Sequence, residues 1–511
     1  MCYGLGQYSQ FNILVFGVLM GRKKNKLNKK DDLSYLEGHK LKTRRDFLAH
    51  GFLSMTAGIM TPSLLSFLTS KKLYAMDCGS AIEMMGENRS IPVIIFDLAG
   101  GANFAGSSIL VGGPGGQDDM LQSYGALGLP PDMHPGRSGM LSDELGLKFH
   151  SDAPYLLGIR SVTSPQVRAK VDGGIFCARS ADDTGNNPHN PMYWLYKAGA
   201  MGELVQLVGT RDSISGGRSM APEASINPVV APVRIRDSRD VLSLISVGRL
   251  NEIFPGNRAE QVMKSIERLS ERRLAQIANQ SLPEQIKTLV QCGYINSQDV
   301  LNRFTPNNLS PSEDPDINRI FNLSNRDQRA TASIAKLVLD GYAGVGTVVK
   351  GGYDYHNGTR SRGEIRDFEA GELIGQVIEL ASRKQKDVMI YVLTDGGCST
   401  RPIIDDTPDG RGKYAWTGDS SVRSSTFMMV YRHQGRPTLR RPNRRQIGHF
   451  RENGAVDRTA TLISDNVVNL SKAVVANYLA LSGQESRLAE IVGDNPFGSQ
   501  LEDYLLFNRI V

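Results

Sequence analysis

The sequence predicts an α/β protein, a three-layer α/β/α sandwich around a mainly parallel central sheet. Short apolar segments alternate with longer helical stretches, which is the rhythm of parallel βαβ units. The apolar segments are nearly continuous in Val, Ile and Leu, a composition typical of strands that are buried on both faces. A hydrophobic content of 40% together with 53 glycines indicates a globular chain that is rich in loops.

The predicted strands are short β-branched runs bounded by glycine, aspartate or polar turns. In chain order they are Val93–Leu98, Gly174–Ala178, Leu204–Val208, Val241–Ser246, Val345–Lys350 and Asp387–Leu393. The predicted helices are longer and carry apolar residues at helical spacing. They are Asn190–Gly199, Arg258–Ala278, Ala330–Leu339, Arg362–Arg383 and Asn466–Leu481. Along Arg362–Arg383 the spacing predicts one buried apolar face, formed by Ile365, Phe368, Ile374, Val377, Ile378 and Ala381.

The N-terminal region predicts an export signal. Arg44 and Arg45 are adjacent and stand ahead of a moderately apolar, almost uncharged run that ends at Leu68, the pattern of a twin-arginine signal. Glycine, serine, threonine and proline dilute this run, so it is too weak to be a stable transmembrane anchor, which needs roughly 20 consistently apolar residues. We therefore predict recognition by the twin-arginine translocation machinery and a location in the periplasm or cell envelope. An ordinary basic tail before an amphipathic helix is the alternative.

The sequence predicts two domains: a signal region over residues 1–75 and an α/β domain over residues 76–511. Residues 250–335 are polar and poor in strand signals, which predicts a helical insertion within the α/β domain rather than a separate domain.

The charge distribution excludes a general nucleic-acid binder. The whole chain has a formal net charge of +6, but residues 1–75 hold 12 of the 59 Lys and Arg residues and 4 of the 53 Asp and Glu residues. Residues 76–511 therefore carry a formal charge of −2, without the basic excess that nucleic-acid binding requires. No cysteine belongs to a C-x-x-C pair, so the chain has neither a zinc knuckle nor a dithiol redox motif.

Acidic side chains follow three of the predicted strands. Asp97 and Asp395 come at strand ends next to glycines, and the strand Val345–Lys350 leads into Gly-Gly-Tyr-Asp-Tyr-His, which contains Asp354 and His356. Parallel strands present their carboxyl ends at one edge of a sheet, where ligands bind. The sequence thus predicts a site for a divalent metal (zinc, manganese or calcium) at Asp97, Asp354, His356 and Asp395. A turn or helix-capping role is the alternative for each aspartate.

A polar loop follows the predicted strand Gly174–Ala178 and precedes a helix that starts near Asn190. A hydroxyl near the N-terminus of a helix can bring an anion to a position where it is stabilised. Thr184 is therefore the candidate nucleophile and Ser180 the second choice, while His189 could serve as a metal ligand or proton donor. The alternative is an Asx- and Ser-rich turn that satisfies its own backbone.

Together these motifs resemble one family: the twin-arginine-exported family of unknown function that is distantly related to sulfatases and alkaline phosphatases. The resemblance covers roughly residues 90–485, and its most specific element is Gly-Tyr-Asp-Tyr-His at residues 352–356. It implies an alkaline-phosphatase-like sandwich and a metal-dependent hydrolase site. Relatives tend to have Asp-His-Gly where this chain reads Thr417-Gly418-Asp419, and the sulfatase Cys/Ser-x-Pro-x-Arg motif does not occur at Cys177. Sulfatase activity specifically is therefore disfavoured.

Two functions remain open from the sequence. The first is an exported, metal-dependent hydrolase that acts on a small phosphate or sulfate ester at the carboxyl edge of the sheet. The second is a non-catalytic cell-envelope protein that keeps the fold and binds a partner or glycan.

Overall fold

The computed structural model describes residues 90–181, 187–244, 306–355 and 358–511. All of these belong to one compact unit that spans Met55–Val511. The predicted signal region, the predicted helix Arg258–Ala278 and residues 250–305 of the predicted insertion lie outside the described residues.

The central feature is an eight-stranded sheet with the strand order β12-β4-β11-β8-β1-β7-β5-β6. Its strands are β1 (Val93–Leu98), β4 (Val171–Phe176), β5 (Val205–Gly209), β6 (Val233–Arg234), β7 (Ala343–Lys350), β8 (Val388–Thr394), β11 (Thr426–Tyr431) and β12 (Gln446–Ile447). Strand β11 runs antiparallel to both of its neighbours, β4 and β8. The other neighbouring pairs are parallel. The predicted α/β fold with a mainly parallel sheet is thus confirmed.

Two short hairpins lie outside this sheet. One pairs β2 (Leu141–Leu145) with β3 (Leu147–His150), and the other pairs β9 (Gly397–Asp405) with β10 (Lys413–Ser420). The second hairpin begins three residues after β8 ends, so it continues directly from the edge of the sheet where Asp395 lies.

Helices cover both faces of the sheet. They are α1 (Pro154–Val162), α2 (Pro165–Arg168), α3 (Met192–Lys197), α4 (Ser238–Ser243), α5 (Pro306–Leu309), α6 (Pro315–Ile320), α7 (Arg326–Leu339), α8 (Ser361–Arg383), α9 (Val467–Leu481) and α10 (Leu488–Val492). On β1, Ile94 and Phe96 pack into a core shared with α1, α7 and α8. The alternate residues Val93 and Ile95 pack into a second core with α3, α9 and α10. Strands buried on both faces explain the continuous apolar runs in the sequence.

Most predicted elements have their counterparts, but one has the wrong type. Residues 241–246 are predicted to be a strand, whereas Val241 lies inside helix α4. The carboxylate of Asp237 accepts hydrogen bonds from the backbone N–H groups of Arg239 and Asp240. This N-cap starts a helix in a segment whose apolar pattern alone favours a strand.

The predicted apolar face of α8 is correct only in part. Ile374 and Ile378 are buried, but Ile365 and Phe368 are 43% and 38% exposed. The first turns of the helix instead bury polar and small residues, among them Glu364 and Asp367. Farther along α8, the backbone of helix α1 approaches so closely that a Cβ on Gly371 would lie 2.2 Å from the carbonyl oxygen of Tyr155.

Buried charges join the β9–β10 hairpin to α8. Lys413 is fully buried, and its Nζ lies 2.7 Å from Oε2 of Glu364. Nε of Arg360 lies 2.7 Å from Oε1 of the same carboxylate, and the Arg360 guanidinium stacks 3.9 Å from the ring centroid of Trp416. Removing one partner of such a buried pair costs about 3–5 kcal/mol because a charge is left uncompensated. The hairpin that follows Asp395 is thus held in one position.

Candidate functional site

The site lies where β8, β1 and β7 end side by side. Asp97 is the fifth residue of β1 and pairs with Leu393 of β8 and Val349 of β7. Asp395 follows the last residue of β8 directly. The parallel register therefore places these two aspartates on adjacent strands at the same edge, as the sequence predicts.

A serine hydroxyl joins the two carboxylates. Oγ of Ser219 lies 2.8 Å from Oδ1 of Asp395 and 3.1 Å from Oδ1 of Asp97. Ser219 comes from the segment after β5, so three distant parts of the chain meet at this point. A hydroxyl has only one proton to donate, and it therefore cannot donate to both carboxylates at once.

Backbone N–H groups complete the hydrogen bonding of the pair. Oδ2 of Asp97 accepts from the N–H of Arg218 at 2.6 Å and from that of Ser219 at 2.8 Å. Oδ2 of Asp395 accepts from the N–H of Gly100 at 3.3 Å. Gly217 packs so closely here that a Cβ would lie 2.5 Å from Oδ2 of Asp97. The segment 215–220 therefore covers the carboxylate pair, and Asp97, Ser219 and Asp395 are fully buried.

Burial controls the electrostatics of the pair. Burial and, next, the negative charge of Asp395 raise the pKa of Asp97 to about 6, against hydrogen bonds from Ser219 and Arg218 that lower it. Burial also raises the pKa of Asp395, against hydrogen bonds from Ser219 and Gly100 and the positive charge of Arg218. Two neighbouring carboxylates that are removed from water favour either a shared proton or a cation.

The donor set of the pair fits a hard cation. Two carboxylates and one hydroxyl offer oxygen atoms only, which suits manganese, calcium or magnesium better than zinc. Across the described ranges, however, no group of three or more Asp, Glu, His or Cys side chains is placed to hold a metal ion. The predicted ligand His356 lies outside the described residues, so the full predicted set stays a prediction.

Asp354 lies next to the pair through its backbone. A Cβ on Gly100 would lie 2.7 Å from the backbone nitrogen of Asp354, so the segment after β7 contacts the turn after β1. The side chain of Asp354 is exposed, whereas Tyr353 and Tyr355 on either side are fully buried. Asp354 thus stands at the surface beside the site.

The predicted nucleophile Thr184 lies outside the described residues, and Ser180, the second choice, has a structural role. Its hydroxyl donates to the main-chain oxygen of Asp395. Nδ2 of Asn187 donates to the same oxygen at 3.0 Å and to Oγ of Ser180 at 2.9 Å. These bonds fix the backbone at Asp395, so the loop side chains satisfy a distant strand end rather than only their own backbone.

Among the described residues, no hydrogen bond joins His189 to Asp97 or Asp395. His189 is 1% exposed, its Nε2 has no hydrogen-bond partner among the described residues, and burial alone lowers its pKa to about 3. The helix that follows, α3, starts at Met192 and has only six residues. Asn190 does accept from the N–H of Met192 at 3.2 Å, but its Nδ2 donates to Ser215 and Thr347. The predicted anion site at this helix start is therefore not supported.

Sequence reasoning missed Ser219 and the glycine-rich turn that carries it. The signal was present, because the predicted strand Leu204–Val208 leads into Ser-Gly-Gly-Arg-Ser at residues 215–219. Acidic residues after strands are a distinctive sequence signal, whereas this strand supplies a hydroxyl and backbone N–H groups, which many turns contain.

A second polar contact ties the strand ends together. The N–H of Asn103 donates to the Tyr355 hydroxyl at 2.9 Å, and its Oδ1 accepts from the N–H of Cys398 at 2.6 Å. Asn103 therefore links the segments that follow β1, β7 and β8, the same segments that carry Asp97, Asp354 and Asp395.

Comparisons with protein-family models, with curated protein sequences and with solved structures found no match. Within the described ranges, no helix has the length and apolar character needed to cross a membrane.

Proposed function

We propose that this chain is an exported, metal-dependent hydrolase of a phosphate or sulfate ester, with its site at the carboxyl edge of the sheet. The observation that carries the proposal is the convergence of Asp97 and Asp395 on the single hydroxyl of Ser219. Such a crowded pair of buried carboxylates favours a bound cation over two bare negative charges.

Asp97 and Asp395 would hold the cation, with Asp354 and His356 as the further predicted ligands. When bound, the cation would supply positive charge that stabilises negative charge on the oxygens of the ester group. The chain's own groups orient the pair: the N–H groups of Arg218 and Ser219 fix one carboxylate, and that of Gly100 holds the other.

The export and family parts of the proposal rest on motifs. Arg44 and Arg45 support recognition by the twin-arginine translocation machinery and a periplasmic or envelope location. The mainly parallel sheet with helices on both faces agrees with the alkaline-phosphatase-like sandwich that the resemblance implies. The substrate would be a small anionic ester, since the cation would attract negative charge.

Metal content and hydrolysis test the proposal together. The purified mature protein, dialysed against Mn²⁺, should retain close to one equivalent and hydrolyse an aryl phosphate or aryl sulfate. Asp97→Asn and Asp395→Asn should each lower both the metal content and the rate, whereas Asp406→Asn, a change of an exposed aspartate on the loop after β9, should change neither. Wild-type protein that retains no Mn²⁺, Zn²⁺ or Ca²⁺ and hydrolyses neither ester would contradict the proposal.

One observation favours the second candidate, a non-catalytic envelope protein that binds a partner or glycan. Asp97 and Asp395 are at 0% exposure beneath the segment 215–220, whose Ser219 is equally buried, whereas a substrate must reach the reacting groups. In that case the carboxylates of Asp97 and Asp395 serve only to anchor the segment 215–220 through their hydrogen bonds. Retention of the fold and of a glycan or partner, without metal and without hydrolysis, would establish it.

A further inference from the structure

The main chain of Arg218 is fixed at the carboxylate pair. Its N–H donates to Oδ2 of Asp97 at 2.6 Å, and the next N–H, that of Ser219, donates to the same oxygen. On the other side, Gly217 contacts Asp97 without room for a Cβ, and Gly216 adopts the left-handed conformation with φ +62°. The backbone from which the Arg218 side chain extends is therefore fixed by the same contacts that form the site.

The guanidinium of Arg218, in contrast, has no partner within the described ranges. The residue is exposed, and among the residues that the structure describes its side chain forms neither an ion pair nor a hydrogen bond. Its positive charge nevertheless reaches the site, because it lowers the pKa of Asp395. An arginine that is anchored by its backbone and free at its tip is placed to bind something that is not part of the chain.

Two other arginines at this edge of the sheet, in contrast, bind protein partners. Arg179, just after β4, pairs with Asp465. Arg423, just before β11, donates from Nη1 to Oγ of Ser399 at 2.7 Å. These two side chains serve the fold, whereas the guanidinium of Arg218 has no partner among the described residues and its backbone is fixed at the pair.

We propose that Arg218 binds the tetrahedral oxyanion of the substrate, a phosphate or sulfate group, beside the Asp97–Asp395 pair. A guanidinium offers a planar fork of N–H donors that matches two oxygens of such an anion, and it keeps its charge at any physiological pH. The inference rests on the proposed function, since without a cation the two carboxylates would repel an anion.

Anion binding to the metal-loaded protein tests this assignment. Inorganic phosphate and, in a separate arm, inorganic sulfate are titrated by calorimetry into the mature protein loaded with Mn²⁺. Arg218→Met should weaken binding about tenfold or more, and Arg218→Lys should lose less because it keeps the charge but not the fork. The matched control is Arg211→Met, which removes an exposed arginine of the same connection between β5 and β6 and should bind like wild type. The anion that binds wild type more tightly, and whose affinity falls more in Arg218→Met, identifies the oxyanion that Arg218 binds.

Metal content measured on the same samples separates the outcomes. Equal anion affinity in Arg218→Met and Arg211→Met would overturn the role of Arg218 and leave the proposed function intact. A wild-type protein that holds Mn²⁺ but binds neither anion would also overturn the role of Arg218. A protein that holds no metal and binds no anion would remove the proposed function, and this inference with it.

Discussion

Gly217→Ala is the sharpest test of the way the segment 215–220 closes over the carboxylates. The new methyl group would lie 2.5 Å from Oδ2 of Asp97 and 3.0 Å from Cγ2 of Thr347, and neither neighbour can retreat easily because both are buried in the sheet. The segment must shift and weaken the N–H bonds to Asp97. Overpacking costs about 1–3 kcal/mol, and hydrogen bonds to charged groups contribute about 1.5–3 kcal/mol each. We expect the free energy of unfolding to fall by about 2–4 kcal/mol.

Urea denaturation followed by circular dichroism measures this change. Gly418→Ala on β10 is the matched control, since a Cβ there meets nothing within 4 Å, and its free energy of unfolding should stay within about 1 kcal/mol of wild type. Asp97→Ala should make room for the methyl group, so Gly217→Ala should cost about 1–3 kcal/mol less in that background. The reasoning is refuted if Gly217→Ala is as stable as Gly418→Ala, or if its cost is unchanged when Asp97 is absent.

Three further predictions concern export, pH and the exposed aspartate. Replacing Arg44 and Arg45 by lysine keeps the charge but removes the guanidinium forks, so the mature protein should disappear from the periplasmic fraction; unchanged export would contradict the signal. Burial and, next, the charge of Lys413 lower the pKa of His150 from 6.5 to about 4, so protonation favours the unfolded chain and stability from this group is lost as pH falls from 6.5 to 4. Urea titrations of wild type and His150→Gln should diverge over that range by about 3 kcal/mol, and parallel curves would exclude the effect. Asp354→Asn should lower Mn²⁺ content, and full metal content would remove Asp354 from the ligand set.

The sequence predicted the sheet better than the connections. Strand β1 has the bounds that its apolar run predicts, because a strand buried on both faces leaves little freedom in composition. Helix α4 was missed because Asp237 caps its first turn, and a local hydrogen bond can override an alternating apolar pattern. The exposed Ile365 on α8 shows a similar limit: helical spacing marks a face, but the neighbours decide which part of it is covered.

Like the sheet, the site could be predicted only where it depends on the strands. Parallel strands bring their ends together whatever the loops do, which is why Asp97 and Asp395 could be paired from strand ends alone. Which connection would fold back over them depends on tertiary packing that no local pattern records. Ser219 and Arg218 therefore became visible only in the structure, as did the structural role of Ser180.

The meeting of Asp97, Ser219 and Asp395 also has a consequence for the order of maturation. The contact between Ser219 and Asp97 spans 122 positions of the chain, and that between Ser219 and Asp395 spans 176. The site therefore comes into being only after β1, the turn beyond β5 and the end of β8 have all assembled, and long-range contacts of this kind form late in folding. On the proposed twin-arginine route, which carries chains that are already folded, an ion held by this pair would be acquired in the cytoplasm. The metal supply of that compartment, rather than of the periplasm, would then decide which ion the protein carries.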